Sequence, residues 1–478
     1  MITFFISVAI LIIGYVVYGA LVEKVFKPDD RPTPAIARPD GVDYVPLKGW
    51  RAFLIQLLNI AGLGPIFGAL SGAIWGPSVY LWIVFGTIFA GATHDYLAGM
   101  LSVRHNGASI SEITGIYLGN FMRQVMRVFS IILLVMIGVV FMVGPAALIA
   151  LMTPSALNVT FWTFVILAYY FLATLLPFDK IIGKLYPLFG LALIFMALAI
   201  GGATLLNHGT RPMIELTLEN LHPTGRSIWP LMFITVACGA ISGFHATQSP
   251  MIARTLMHEK QGRRVFYGAM VAEGIIALIW ASAGIAFYYN KDTGLLRLLE
   301  AGGGNSTVVY EMSTTLLGPV GGLLAMFGVV ACPITSGDTC FRSARLTIAD
   351  WFKLDQSNMK IRLALSTLLL GAGYIISKFD YQIVWRYFSW SNQTLAMIAL
   401  WVCTAFLIKY RKPITCLLTL LPAMFMSAVC STYILIAPEG FNLSTDIAYP
   451  AGLAIAGLFT FLFALRAIKI LKQPRTIE

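Results

Sequence analysis

Charge is what this chain of 478 residues has least of. Charged side chains make up 12% of it, with only 22 Asp and Glu, against about a quarter in a soluble domain. Most of its surface therefore cannot face water. The six cysteines lie singly in apolar stretches, with no Cys-x-x-Cys or Cys/His spacing, so neither a zinc site nor a disulfide framework is implied and they read as ordinary buried thiols. No phosphate-binding glycine loop, HExxH or GxSxG occurs, and no loop is long enough for a nucleotide-binding domain. An ATP-driven pump is excluded on the same ground. The first apolar run lacks a basic leader and a clear small-residue cleavage site, so it reads as a retained span.

What is present is apolar length. About thirteen runs approach the roughly 20 residues needed to cross a hydrocarbon core. They are Ile2–Val22, Trp50–Ile74, Ser78–Val103, Met126–Met152, Val159–Leu176, Ile181–Leu206, Ile228–Ile252, Val265–Tyr289, Val320–Phe352, Ile361–Ile376, Ile383–Ile408, Ile414–Ile436 and Ala448–Leu471. Ile110–Gln124 and Leu295–Leu317 read as surface elements; the second is either a lid or a plain hairpin.

The net charge of +11 does not point to nucleic acid, because the basic residues occupy short loops. With the N-terminus outside, roughly 27 of the 33 Lys and Arg fall on the inner side. Arg254, Lys260, Arg263, Arg264, Lys409, Arg411, Lys412, Lys469, Lys472 and Arg475 are among them. The expectation is a multi-pass protein of a cytoplasmic membrane, with the C-terminus inside. The pattern says nothing of oligomeric state.

Two spans are interrupted. Gly62-Leu63-Gly64-Pro65 breaks the second, and Gly239-Ala240-Ile241-Ser242-Gly243 the seventh. Proline removes a backbone donor and glycine eases unwinding. Each broken span opens a block of five, and the two blocks enter from opposite sides, the pattern of an inverted-repeat transporter. The expected divisions are residues 1–49 (an extra span and a loop), 50–206 (first repeat), 207–409 (second repeat) and 410–478 (two further spans and a tail). Half-helix N-termini near Gly64 and Phe244 favour an anionic group, and carbonyls near Asn59 and Gly239 favour a cation or ammonium.

Polar residues inside spans are the functional candidates. Gln56, Asn59, Gly62, Gly64 and Pro65 at the first break are candidates for substrate binding. So are Gly239, Ser242, Gly243, Phe244, His245 and Thr247 at the second, with Gln248 nearby. Asn392 and Gln393 either line the same cavity or bond across helices. Asp338, with Thr335, Ser336 and Thr339, either holds Na⁺ or carries a coupling proton; alternatively it pairs with Arg342 one turn on. Asp95 and His94 either relay protons or gate the inner mouth, or Asp95 pairs with Arg104. Glu273 is either an ion-coupling group or a neutral acid bonded to a neighbouring helix. No catalytic residue, metal centre or cofactor is expected beyond a coupling H⁺ or Na⁺.

At these motifs the chain resembles the carbon starvation protein A (CstA) family. The stretches that carry the resemblance are Ile60–Pro65, Gly91–Tyr96 followed by Arg104–Gly107, Gly239–Thr247 with its Gly-Phe-His core, Thr335–Thr339 and Trp390–Gln393. The likeness runs from about Val45 to Leu407 and is to a short form. Where longer members carry a His pair before the first glycine motif, this chain has Ile55 and Gln56. The resemblance implies the LeuT-like fold of the amino acid–polyamine–organocation superfamily. It also implies uptake of peptides or pyruvate during nutrient limitation, with proton coupling in pyruvate carriers. The expected activity is secondary transport of a small carboxylate or short peptide, with the bilayer as the other partner. The rival readings are a Na⁺-coupled amino-acid carrier, an intramembrane enzyme built on His94, Asp95 and His245, and a sensor without flux.

Overall fold

The structure is a computed structural model that describes residues 1–40, 44–175, 178–236, 238–356 and 358–472, without the side chains of 175, 178–187 and 324. Leu176, which ends the expected fifth span, and Arg475 fall outside these. Among the described residues there is helix throughout and no strand beyond two isolated bridges.

Among the described residues eight helices are long and apolar enough to cross a membrane, or up to ten when each sharply bent pair counts as one span. Three further helical segments coincide with expected runs that do not pass this length and composition test as single helices. These are residues 79–104, the shorter helix Val159–Leu175, and the pair Leu231–Thr235 and Gly243–Ala253. The helix Ser306–Phe352 is also bent, at Gly318, whose φ of 69° takes it out of helical geometry. Ile110–Leu118 is a short helix capped by the Ser109 hydroxyl, which accepts from the Glu112 N–H; five of its nine residues are buried, and residues 120–124 of the expected surface element open the long helix Asn120–Met152 instead.

Both expected breaks are present. Gly49–Ile60 and Gly64–Ala73 meet at 56°. Leu231–Thr235 and Gly243–Ala253 are separated by non-helical residues. The first broken span starts at the end of the molecule that carries residues 27–48; the second finishes there, where the Leu47 N–H donates to Thr255 O at 2.9 Å. The two spans are therefore antiparallel. They cross at their breaks: a Cβ on Gly64 would lie 2.2 Å from Cys238 Cβ, and one on Gly239 would touch Pro65 Cα.

Freed peptide groups find protein partners, as they must where lipid offers none. Pro145 removes the donor that Phe141 O would have used, and the Tyr170 hydroxyl donates to that carbonyl at 3.1 Å. Opposite the second break, residues 82–91 wind as a wide π-helix. Gly91 lies so close that a Cβ would sit 2.2 Å from the Ala240 carbonyl oxygen. We expect Gly91→Ala to lower the unfolding temperature in detergent, since overpacking against fixed backbone costs about 1–3 kcal/mol. Gly202, with open space around it, should gain up to about 1 kcal/mol from the same exchange.

Candidate functional site

The second break carries the polar centre of the molecule. Gly243–Ala253 packs against Ala92–Arg104 on one side and Gly49–Ile60 on another, while Gly268–Tyr288 packs against both of those neighbours. His245 is the third residue of its half-helix and is completely buried. Its Nδ1 lies 2.7 Å from Asp95 Oδ2, and its Nε2 lies 3.3 Å from Glu273 Oε2. His94 Nδ1 reaches the other Asp95 oxygen at 2.8 Å. All four residues have no exposed surface. Four of the candidates thus form one row, His94–Asp95–His245–Glu273, that joins three elements. The row is a line rather than a cage: among the described residues no three His, Cys, Asp or Glu side chains converge where a metal would sit.

Proton bookkeeping constrains this row. A neutral imidazole has one N–H. If His245 donates from Nδ1 to Asp95, its Nε2 lone pair faces a Glu273 oxygen. The contact is repulsive unless a further proton sits on Nε2 or on the carboxyl. Two unprotonated carboxylates in a dry interior would also be uncompensated. The arrangement therefore accommodates one exchangeable proton shared among Asp95, His245 and Glu273.

Arg104 does not pair with Asp95, one of the alternatives the sequence leaves open. It bonds Glu259 at 3.1 Å and the Lys27 carbonyl at 2.8 Å, and it lies over the Phe26 ring. The sequence reading passed over Glu259, which is fully buried; its position in a basic loop gave no signal. The Asp29 N–H also donates to Glu259, so the pair draws the loop after the first helix onto the basic end of the bundle.

Asn392 and Gln393 bond across helices. Asn392 Oδ1 accepts from the Phe244 N–H at 2.8 Å and from the Ser242 hydroxyl at 3.1 Å, so it occupies the half-helix N-terminus expected to face an anion. The Gln393 amide donates to Phe233 O and Val236 O, at the end of the preceding half. Thr87 donates to Gly239 O at 3.1 Å. Thr247 turns its hydroxyl back onto Phe244 O.

The first break is held by the helix that carries Asp338. Ser336 donates to Leu58 O at 3.1 Å, and Cys332 Sγ approaches Leu58 O and Ala61 O. The Thr335 and Thr339 hydroxyls bond carbonyls of their own helix. Asp338 lies 3.6 Å from Arg342 and apart from the His–Asp row.

Gln56 and Asn59 are completely buried, and all four of their amide atoms lack a hydrogen-bond partner. Phe53 and Leu54 take the face of Gly49–Ile60 that meets Gly268 and Gly190, and Leu58 meets Ser336. At 100° per residue, Gln56 and Asn59 lie on the remaining face, toward Gly243–Ala253. The antiparallel register set by Leu47 and Thr255 brings them level with Phe244–Gln248. The Gln248 amide oxygen is also unpartnered.

Unwound, antiparallel spans that meet near the middle of a helical bundle recur in secondary-transporter folds. An Eremococcus coleocola manganese transporter matches with a TM-score of 0.54 at 13% identity, covering 91% of this chain and 97% of its own. A Na⁺-coupled sialic acid symporter matches at 0.51 and 14%, covering 99% of both. These share the LeuT-like fold. The sequence model described as carbon starvation protein CstA matches residues 1–156 and 145–293, and this chain belongs to that family. A membrane protein of Haemophilus influenzae is 42% identical over 61% of this chain and 92% of its own length. The peptide transporter CstA of Campylobacter jejuni is 27% identical over 94% of this chain and 82% of its own. The pyruvate/proton symporter BtsT of Escherichia coli is 27% identical over 68% and 56%.

Breaking the buried Arg104–Glu259 pair by Glu259→Gln should cost about 3–5 kcal/mol. The expected readout is a lower unfolding temperature and new protease cleavage within residues 27–48. The Arg31 guanidinium beside Asp29 holds that carboxyl down at about 2. A lowered carboxylate stabilises at every pH above its ordinary range and loses that contribution only as pH falls toward 2. Protease protection of this loop should therefore be unchanged between pH 7 and pH 5, as far as Asp29 governs it.

Proposed function

We propose that this chain is a secondary transporter that imports a small carboxylate such as pyruvate, or a short peptide, and couples its entry to a proton. The observation that carries the reading is His245, set between Asp95 and Glu273 on the second half of a broken span. In alternating access the broken spans rock against the other core helices. Such a motion changes the distances from His245 to both carboxylates and hence where their shared proton is held. The names of the Campylobacter and Escherichia relatives support transport of peptides and of pyruvate with protons.

On this reading Gln56, Asn59 and Gln248 form the polar side of the substrate cavity, beside Gly62, Gly64 and Pro65. The unpaired amide N–H groups of Gln56 and Asn59 suit a carboxylate, which both substrate classes have. The unpaired oxygens of all three residues need N–H donors, which a peptide has and a keto acid lacks. We therefore favour the peptide. Ser242, Gly243, Phe244 and Thr247 shape the hinge, and Asn392 releases or keeps it. Thr335, Ser336 and Thr339 hold the first break, and Asp338 with Arg342 steadies their helix. A Na⁺-coupled amino-acid carrier is the second reading, because Leu58 O, Ala61 O and Ser336 Oγ gather at one place. The transport core is residues 50–409, with 1–49 and 410–478 as supports. The basic end faces the cytoplasm of an inner membrane.

Proteoliposomes under an imposed H⁺ gradient should accumulate labelled L-alanyl-L-alanine, and unlabelled pyruvate should compete for it weakly. Asp95→Asn and Glu273→Gln should each abolish accumulation yet leave substrate exchange at equilibrium. Accumulation driven by Na⁺ alone, or retained in full by both variants, contradicts proton coupling through this row.

A further inference from the structure

A second set of unpaired donors lies on the far side of the first break. Trp385 is 4% exposed, and its indole Nε1 has no partner. The Tyr381 hydroxyl, one turn earlier, is shielded and also unpartnered. The two rings stack with centroids 6.2 Å apart, and Trp385 lies 6.1 Å from the Phe67 ring. Phe67 sits in the first turn of the half-helix Gly64–Ala73, which opens toward the first break. A Cβ placed on Gly144 would lie within 4 Å of Leu63, Phe67 and the Tyr381 hydroxyl together, so these groups surround one point.

The glycine loop roofs this point. The Gly304 N–H donates to the Ser71 hydroxyl at 3.0 Å, and Gly304 is so close that a Cβ would collide with Phe67 O. Ser306 donates to Gly144 O at 3.0 Å. Gln382, next to Tyr381, reaches Gly302 O at 3.5 Å. Gly302 and Gly303 adopt φ of 97° and 64°, which only glycine takes easily. Of the two readings of this loop, lid or hairpin, its bonds favour a lid: they go to residues around the unpaired donors and would have to open to admit anything.

An unpaired buried donor costs about 1–3 kcal/mol. Two of them, beside a half-helix N-terminus and under a glycine lid, call for an acceptor that arrives during the cycle. We propose that Tyr381 Oη and Trp385 Nε1 form an outer subsite that hydrogen-bonds the carboxylate of an incoming substrate, with Phe67 and Leu63 against its apolar body and residues 302–306 closing above it. The proposal rests on the transport reading and extends it: this pair selects the substrate before the crossing of the two breaks does.

The test is the concentration dependence of H⁺-driven uptake of labelled L-alanyl-L-alanine and of labelled pyruvate by wild type, Tyr381→Phe and Trp385→Phe. Losing one hydrogen bond to a charged acceptor should raise KM about tenfold in each variant. Maximal rate and unfolding temperature should stay near wild type. With the C-terminal carboxyl of L-alanyl-L-alanine amidated, the three proteins should show the same uptake, since the group that the subsite bonds is gone. If wild type transports and both folded variants keep its KM, the subsite is wrong and the transport reading stands. If wild type takes up neither substrate under any gradient, the transport reading fails and the subsite with it.

Discussion

A peptide group in a bilayer must find its partner within the protein, and two deliberately broken spans make that constraint acute here. Several polar side chains around the crossing answer it. Asn392 and Gln393 bridge the second break, taking the Phe244 N–H and giving to Phe233 O and Val236 O. Thr87 takes Gly239 O, and Ser336 takes Leu58 O. The helices that supply these groups form the frame that holds the broken halves. Where a bond is made by one side chain, it can also be exchanged for another, which is what a transport cycle requires.

The same economy explains the ionisable groups. The four buried members of the row at the second break are ordered so that each imidazole lies against the Asp95 carboxylate, with Glu273 at the far end. Isolated, any of them would be costly in lipid. Joined, they need only one labile proton to satisfy the geometry. Arg104 and Glu259 solve the same problem at the basic end by mutual pairing, and there the result is a clasp.

Much of this was legible in the sequence, and for physical reasons. The breaks were visible because glycine and proline are the only residues that announce unwinding, as Gly62–Pro65 and Gly239–Gly243 do. Asp95, Glu273, His94 and His245 were visible because polar residues stand out against apolar runs. Their union was not: they are spread over 180 positions, and no periodicity relates one helix to another. For the same reason Asp95 read equally well as a partner of Arg104, and the phenol of Tyr381 and the indole of Trp385 gave no signal among the many aromatics of the spans. Glu259 was invisible because a loop acid among basic residues looks like any surface pair. Only the fold, by bringing Arg104 beside it, removes it from water.

The central claim is that a substrate moves the proton shared by Asp95, His245 and Glu273. Infrared difference spectroscopy on adding L-alanyl-L-alanine to the reconstituted protein tests it most directly. The account predicts a change in a protonated-carboxyl stretch that disappears in Asp95→Asn or Glu273→Gln and is altered in His245→Ala. A substrate-induced spectrum with no carboxyl change, or one untouched by all three substitutions, would contradict it.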